Sequence, residues 1–387
     1  MSEKSRWEYY LKMRIRYQKA NKEEKQKLID EFCEVCGYHR KYAIMKLNKT
    51  PNINKDNPRK KCGRKAKYNT PGIIEFLKTL WRATNLICSK RMVASIPIWL
   101  QHYRVEEVEL RLTENDKKKL ESISSSTIDR LLKKYRNKFG RRGLCTKKPG
   151  SMIKQIIPIN TDQWDATKPG YIEADTVAHY GNSVKGDYIN SLNIVDIATG
   201  WTSQRALWGK GEAVVMKAMQ DIEENLPFRI LGFDSDNGSE FLNYRLIKYF
   251  KERKHKVAFT RSRPNKKNDN AHVEQKNWTI VRQYIGYARL DNFLMTGMLN
   301  DIYKKELHQL TNFFLPPMKL IFKERVGSKI IKKHSKPETP YSRILESKYV
   351  EEKVKKKLQK QFNKMDPYKI QKRISKKMDA ILEMTYK

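Results

Sequence analysis

The sequence predicts a mixed-sheet α/β domain flanked by basic helical regions. Three observations carry this. Between about residues 170 and 311, short β-rich runs give way to alternating helix and strand patterns. Apolar residues on either side recur at helical spacing. And the 387 residues hold 81 Lys and Arg against 43 Asp and Glu, a formal charge of +38. A compact chain so charged repels itself unless a polyanion is its usual partner, and nucleic acid fits. With 39% hydrophobic and 10% aromatic residues, the chain has enough apolar surface for folded cores rather than a solvated basic tail. No apolar run approaches the ~18 to 20 residues of a membrane span, and the start, MSEKSRWEYYLKMR, has no hydrophobic signal core. A soluble, cytoplasmic protein is expected. Five scattered cysteines, Cys33, Cys36, Cys62, Cys88 and Cys145, fit a reducing compartment. Cys33 and Cys36 are spaced like one half of a zinc site, with His39 and Cys62 following; no second pair completes it, and helical packing is the favoured reading.

Residues 1–50 form the first region. Within 22–48, Leu28, Phe32 and Val35 share a helical face, Gly37 breaks it, and Tyr42, Met45 and Leu47 resume. That is a helix-turn-helix pattern whose second helix is basic, suited to DNA. A basic linker spans 51–70, where Arg64 and Lys65 belong to a run resembling arms that track a minor groove. A second helical, DNA-binding unit covers 71–140, with Ile74, Leu77, Leu80 and Trp81 on one stripe and Ile96, Trp99 and Leu100 on another. Its last helix, TIDRLLKKYRNK, buries Ile128, Leu131 and Leu132 and turns Arg130, Lys133, Lys134 and Arg136 toward phosphate. Residues 141–168 read as a linker.

The central domain, 169–311, starts with YIEADTVA, DYINSLNIVDI and WTSQRALWG, three strands of an antiparallel meander. A helix over EAVVMKAMQDIEENL, the strand FRILGFDSD, a helix near LNYRLIKYFKER, the strand KVAFTRS and a helix from about Asn270 follow. Three strands, then helix and strand in alternation, make a mixed sheet covered by helices, the order of an RNase H-like fold. Region 312–387 is basic: a proline-interrupted stretch expected to pack on the sheet domain and end in a short helix, then two amphipathic helices marked by Val354, Leu358 and Phe362 and by Ile370, Ile374, Met378 and Ile381.

Three acids fall at predicted strand ends or at a helix start: Asp175, Asp236 and Glu274. Carboxylates gathered at one sheet edge repel and need protons or cations. Their hard oxygens suit two Mg²⁺ or Mn²⁺ ions, which activate an attacking oxygen and stabilise a leaving one in phosphoryl transfer. Two alternatives share their faces by period-two alternation: Glu173 beside Asp175 and Asp234 beside Asp236. Asp196 is expected to cap the turn into Thr199 and Gly200, and Gly238 to serve a tight turn.

The segments IEADTVAHYG, DIATGW, FDSDNGSEF and TRSRPNKKNDNAHVEQKNW, with NFFLPPMKL and ETPYSRIL, resemble the catalytic core of insertion-sequence transposases of the retroviral-integrase, or DDE, superfamily over roughly residues 165–345. The separation of Asp236 from Glu274 is close to the superfamily's, slightly longer. The resemblance implies that Asp175 bridges both metals, Asp236 holds one and Glu274 the other. It implies hydrolysis exposing a 3′-OH at the ends of a mobile element, attack of that hydroxyl on target DNA, double-stranded DNA as partner, an oligomer joining two ends, and association with the nucleoid. The alternative is a sequence-specific DNA-binding protein that kept the fold but not the reaction.

The stretch RSRPNKKNDN is expected to be a mobile loop clamping the DNA backbone through Arg261, Arg263, Lys266 and Lys267. On the next helix, Lys276 is within reach of phosphate, and His272 and Gln275 of terminal nucleotides. Trp278 reads as core rather than as a base-stacker, and Arg282 and Tyr287 fit either role.

Overall fold

The computed structural model describes residues 2–49, 67–103, 112–138, 167–235, 240–241, 244–261 and 271–385. The chain divides into two compact units, 1–66 and 67–387.

The first unit is a helical trio, α1 (Glu3–Lys19), α2 (Lys22–Cys36) and α3 (Arg40–Asn48). Asn21 opens α2 with a reciprocal capping box: its side chain accepts from the Glu24 N–H, and the Glu24 carboxylate accepts from the Asn21 N–H. Gly37, at φ +68°, ends the helix in a left-handed conformation that costs glycine nothing. Tyr10, Met13, Leu28, Ile29, Phe32, Ala43 and Leu47 close the core. The face differs from the expected one, since Val35, Tyr42 and Met45 are exposed. Helix α1 covers the side of α2 that carries Ile29 and Cys36, so Val35 turns to solvent, and α3 buries Ala43 with Leu47, an i,i+4 pair. Cys36 packs in this core and Cys33 is half-buried, both as free thiols.

The second unit begins with α4 (Pro71–Ala83), α5 (Ser89–Leu100), α6 (Glu114–Glu121) and α7 (Ser125–Lys138). Proline at the first helical position of α4 loses no hydrogen bond. Ile73, Phe76, Leu77, Leu80, Ile96, Trp99, Ile128 and Leu132 are buried, whereas Ile74, Leu100 and Leu131 sit at the edge. Arg130, Lys133 and Lys134 are exposed on α7. Arg136 is not turned outward as expected: it pairs with Asp129 and lies over the Trp81 ring.

The sheet comprises β1 (Tyr171–Ala178), β2 (Ile189–Asp196), β3 (Thr202–Trp208), β4 (Gly232–Ser235) and β5 (Ala258–Arg261), in the order β3-β2-β1-β4-β5. Strands β1 to β3 form the predicted antiparallel meander, and β4 and β5 run parallel to β1. Asp196 caps the β2–β3 turn as expected, accepting from the N–H and hydroxyl of Thr199 at 2.7 and 2.6 Å and from Gly170 N–H at 2.8 Å. One face buries Ile172, Ala174, Leu192, Ile194 and Phe233 against α8 (Glu212–Glu224) and α9 (Tyr244–Lys251). Helix α10 (Ala271–Lys276) packs against β1 and β2 and continues through a π-helical turn, Asn277–Arg282, into α11 (Gln283–Ile285).

Helix α12 (Phe293–Ile302) and two more π-helical turns, Tyr303–Leu307 and Leu310–Phe314, follow. Trp99 of α5 donates its indole N–H to the Phe314 carbonyl, which ties the α4–α7 helices into the same core. Residues 320–334 form a hairpin, β6 (Leu320–Val326) and β7 (Lys329–His334). Ile321, Phe322, Val326, Ile330 and Ile331 are exposed on it, so this part is a ribbon, while the two ends of the basic stretch pack as expected, through Phe313, Phe314 and Leu315 and through Tyr341 and Ile344. The expected short helix is α13 (Pro340–Glu346), and the two amphipathic helices are α14 (Glu352–Phe362) and α15 (Pro367–Thr385), burying Leu358, Ile370, Ile374, Met378 and Ile381. Among the described residues, no helix is long and apolar enough to cross a membrane.

His179 follows β1 and is fully buried, sharing a 2.8 Å hydrogen bond with Ser191 Oγ, which itself meets the Tyr303 hydroxyl at 2.6 Å. Burial, with Arg282 adding repulsion, pushes its pKa down to about 3. The unfolded chain takes up a proton here below about pH 6.5 while the fold keeps the imidazole neutral, so stability is lost as pH falls below 6.5. The slope from this one group is at most about 1.4 kcal/mol per pH unit. In melting curves between pH 7 and 5, His179→Gln should flatten the decline; an unchanged slope would show that its source lies elsewhere.

Candidate metal centre

Alternation along β1 puts Glu173, Asp175 and Val177 on the face opposite the α8–α9 core, where α10 lies. The first N–H groups of any helix lack intrahelical partners. In α10 they are met from the sheet: the Glu173 carboxylate accepts from His272 and Val273 N–H, both at 3.0 Å. Glu173 is only 3% exposed. Burial pushes its pKa up to about 8, and the nearby Asp234 and Glu274 carboxylates push the same way, against the pull of the two N–H groups. Glu173 therefore anchors a helix.

Asp175 is half-buried, two residues along the same face. Its Oδ1 accepts from Thr176 N–H at 2.7 Å and its Oδ2 from Asn277 Nδ2 at 2.6 Å. Asn277 Oδ1 accepts from Asn193 Nδ2 at 2.8 Å, and Asn193 Oδ1 from Gln204 Nε2 at 2.8 Å. Asp175, Asn193 and Gln204 are direct cross-strand partners on β1, β2 and β3, so one polar row crosses the buried face and ends on the carboxylate. Asn193 and Gln204 are fully buried, where linked hydrogen bonds stiffen one another, and the Gln204 Oε1 at the far end of the row is left without a partner among the described residues.

Strand β4 pairs Asp234 with Glu173 and Ser235 with Ala174. Asp234 Oδ1 accepts from the Thr260 hydroxyl at 2.6 Å. The next residue, Asp236, lies outside the described residues, as do Gly238, Arg64, Lys65, Arg263, Lys266 and Lys267. At the far end of the same motif, Glu240 is buried and held by β1: its Oε1 accepts from Thr176 Oγ1 at 2.9 Å and from Lys210 Nζ at 3.1 Å. Burial alone would raise its pKa, but a backbone N–H and these partners hold it low.

Glu274 stands exposed on α10, the helix packed against β1 and β2, and its charge is felt at Glu173, the β1 neighbour of Asp175 on that face. Among the described residues, no group of three or more His, Cys, Asp and Glu is placed to hold a metal. Gln275 is exposed, and His272 is half-buried with its pKa lowered by burial and by Lys319 and Lys276. The Lys276 side chain lines a small cavity, and burial, then Arg91 and Arg343, push its pKa down to about 7. Arg261 lies on β5, paired with Ser235.

Trp278 is not core: it is 47% exposed, one turn beyond Glu274, with its ring 6.5 Å from that of Tyr287, itself 64% exposed. Arg282 lies over Tyr287 at 4.8 Å and donates to the Ala178 carbonyl at 2.9 Å. Sequence reasoning missed Asn277, Asn193 and Gln204; the signal was polar residues in otherwise apolar strands, lined up once the meander register is drawn.

These features define a mixed α/β protein with acids collected where a helix meets the central strands. No model of a known protein family matches the chain. It is 36% identical over 338 residues to the uncharacterized protein y4rM of Sinorhizobium fredii (strain NBRC 101917 / NGR234), covering 85% of this chain and 91% of y4rM. The chain belongs to the y4rM family. Among solved structures it is similar to the catalytic core domain of BIV integrase, at 14% identity over 46% of this chain and 94% of that one with a TM-score of 0.30. It is similar also to the HTLV-2 integrase catalytic core domain in complex with magnesium (14% identity, 40% and 93% covered, TM-score 0.29). A chain of the simian T-cell lymphotropic virus intasome in complex with PP2A regulatory subunit B56 gamma matches at 14% identity, over 39% of this chain and 51% of that one, with a TM-score of 0.31.

Replacing Glu173 tests its anchoring role. Glu173→Gln keeps an acceptor for both N–H groups and should melt within about 2 °C of the parent, whereas Glu173→Ala strips the cap and should cost about 2 kcal/mol, several degrees in calorimetry. Equal melting of the two variants would remove that role.

Proposed function

We propose that this protein is a DNA transposase or integrase of the DDE type, with an RNase H-like core, that cuts at mobile-element ends and transfers the 3′-OH to target DNA. One observation carries it: Asp175, on the central strand, and Glu274, on the helix that Glu173 and Asn277 fasten to that strand, share one face, and β4 beside β1 ends at the residue before Asp236. The motifs SDNGSEF and HVEQKNW support the same reading.

The donor set suits a hard divalent cation. Carboxylate oxygens are its ligands, and the repulsion that Asp234 and Glu274 exert on Glu173 marks an edge short of positive charge. Asp175, Asp236 and Glu274 would hold two Mg²⁺ or Mn²⁺ ions, which supply charge neutralisation at the attacking and leaving oxygens of a phosphoryl transfer. The protein's part is positioning. Asn277 fixes the Asp175 carboxylate through one oxygen, and the polar row behind it resists rotation. Glu173 sets the register of α10 and with it Glu274. Trp278, on the Glu274 side of the helix, offers an exposed ring to a terminal base, and Arg282 steadies Tyr287 beside it. Arg130, Lys133 and Lys134 on α7, with the basic segments around Arg64 and Arg263, bind backbone phosphate, and the natural partners are double-stranded DNA and a second copy of the chain. Work on the nucleoid follows from that chemistry.

With duplexes carrying the element's ends, the purified chain should nick and join strands in Mn²⁺ or Mg²⁺ and do neither in EDTA. Asp175→Asn and Glu274→Gln should each lower joining at least ~10³-fold while binding the same DNA. Asn277→Ala should lower it about 10- to 100-fold and shift the metal concentration needed for half-maximal rate. Tight DNA binding by the parent chain without any cleavage would replace this reading with that of a DNA-binding protein that lost the reaction.

A further inference from the structure

Behind the Glu274 helix lies a cavity of ≈ 30 Å³ whose chemistry the proposed reaction does not use. Its walls are the α4–α5 turn, Thr84, Asn85 and Ile87, with Arg91 of α5 on one side, and Lys276, Thr279, Gln283 and Tyr284 on the other. Lys276 is two positions from Glu274, and residues at i and i+2 point to different sides of a helix. The cavity therefore faces away from the acids of the candidate metal centre.

Two basic side chains line it, with no counter-charge among the described residues. Among the described residues, no Asp or Glu lines the cavity and neither Arg91 nor Lys276 forms an ion pair. The Arg91 guanidinium is pinned from behind, its Nε donating to the Pro316 carbonyl at 2.8 Å. Lys276 lines the cavity together with Arg91, while Arg343 spends its own donors on the Thr199 and Pro317 carbonyls and pairs with Glu338 at 3.6 Å. The Tyr284 hydroxyl is buried and has no hydrogen-bond partner, and it too lies beside Arg91. Removing charges from water without a counter-ion is costly, and a buried hydroxyl normally finds a partner. An oxyanion satisfies all three groups at once: it takes charge-assisted hydrogen bonds from the guanidinium and ammonium and a third from the phenol. At about 10–15 Å³ for each water-sized atom, the cavity admits the two or three oxygens that such a group would turn toward these donors. In the turn that forms one wall, Asn85 and Leu86 both take left-handed backbone conformations, at φ +56° and +61°, which residues with a Cβ rarely adopt.

We propose that this cavity is a phosphate-binding site built from Arg91, Lys276 and Tyr284. Its two sources of phosphate are a backbone phosphodiester of bound DNA, which rests on the function proposed above, and free inorganic phosphate, which does not.

The test uses the full chain. Melting temperature is followed against inorganic phosphate at constant ionic strength, and DNA affinity against salt. The parent should be stabilised by phosphate, and Arg91→Gln combined with Lys276→Gln should lose most of that response. Without phosphate the double variant should melt no lower than the parent, because repelling cations have gone. Lys353→Gln with Lys356→Gln, an equal loss of charge at exposed positions on α14, should keep the response; equal loss in both pairs would reduce the effect to net charge and overturn the site. So would an undiminished phosphate response in the Arg91 and Lys276 variant. Tyr284→Phe should weaken phosphate binding severalfold without altering the net charge. A logarithmic salt dependence of DNA binding that falls by about 1 to 2 in the double variant assigns the site to the DNA backbone; an unchanged slope with the phosphate response lost assigns it to free phosphate. A chain that answers to phosphate yet joins no DNA keeps this site and loses only the transposase reading.

Discussion

The contact on which the rest depends is the grip of β1 on α10. Two acids of one strand, Glu173 and Asp175, reach the same helix: the first takes backbone N–H groups at its start, the second the side chain of Asn277 one and a half turns on. A short helix that is not anchored frays. Here the fastening is inside the protein, so the direction in which Glu274 projects is set by the strand that bears Asp175. The π-helical turn that begins at Asn277 widens the helix at that point, a local irregularity of the kind often found where a side chain must be aimed.

The division of labour between neighbouring acids follows from burial. Glu173 and Asp175 share a face, but Glu173 sits under the helix, where the neutral form is favoured, while Asp175 stands at the rim with access to solvent. The chain is strongly basic, yet the acids Glu173, Asp175, Asp234, Glu240 and Glu274 gather where β1, β4 and α10 meet. Such a grouping of acids in a basic chain is what the proposed function requires, a polyanion brought to a cation.

Much of this was legible beforehand. Period-two runs with tight turns announced the meander, and Val215, Met219 and Ile222 announced α8. Asp196 behaves as a turn cap because its short side chain reaches the backbone three residues on. What could not be read is what depends on long-range register. Which of Glu173 and Asp175 would be covered depended on where α10 docks, some hundred residues later. The Gln204–Asn193–Asn277 row exists only once three strands are aligned. Trp278 reads as core because tryptophan usually is, but its position one turn after Glu274 puts it on the exposed side. The ribbon at 320–334 was hidden by its charge: lysines interleaved with isoleucines read as an irregular basic segment. In the first helices, Val35, Tyr42 and Met45 are exposed because α1 covers a different face from the one that α2 and α3 suggest alone.

The most direct test of the central claim, that Asp175, Asp236 and Glu274 together form one metal centre, is to load the protein with Fe²⁺, start local radical chemistry with ascorbate and map the broken peptide bonds by mass spectrometry. Cuts clustered near residues 175, 236 and 274, suppressed by excess Mg²⁺ and absent from Asp175→Asn, are the predicted result. Cuts spread evenly along the chain, or clustered away from these three positions, would contradict it.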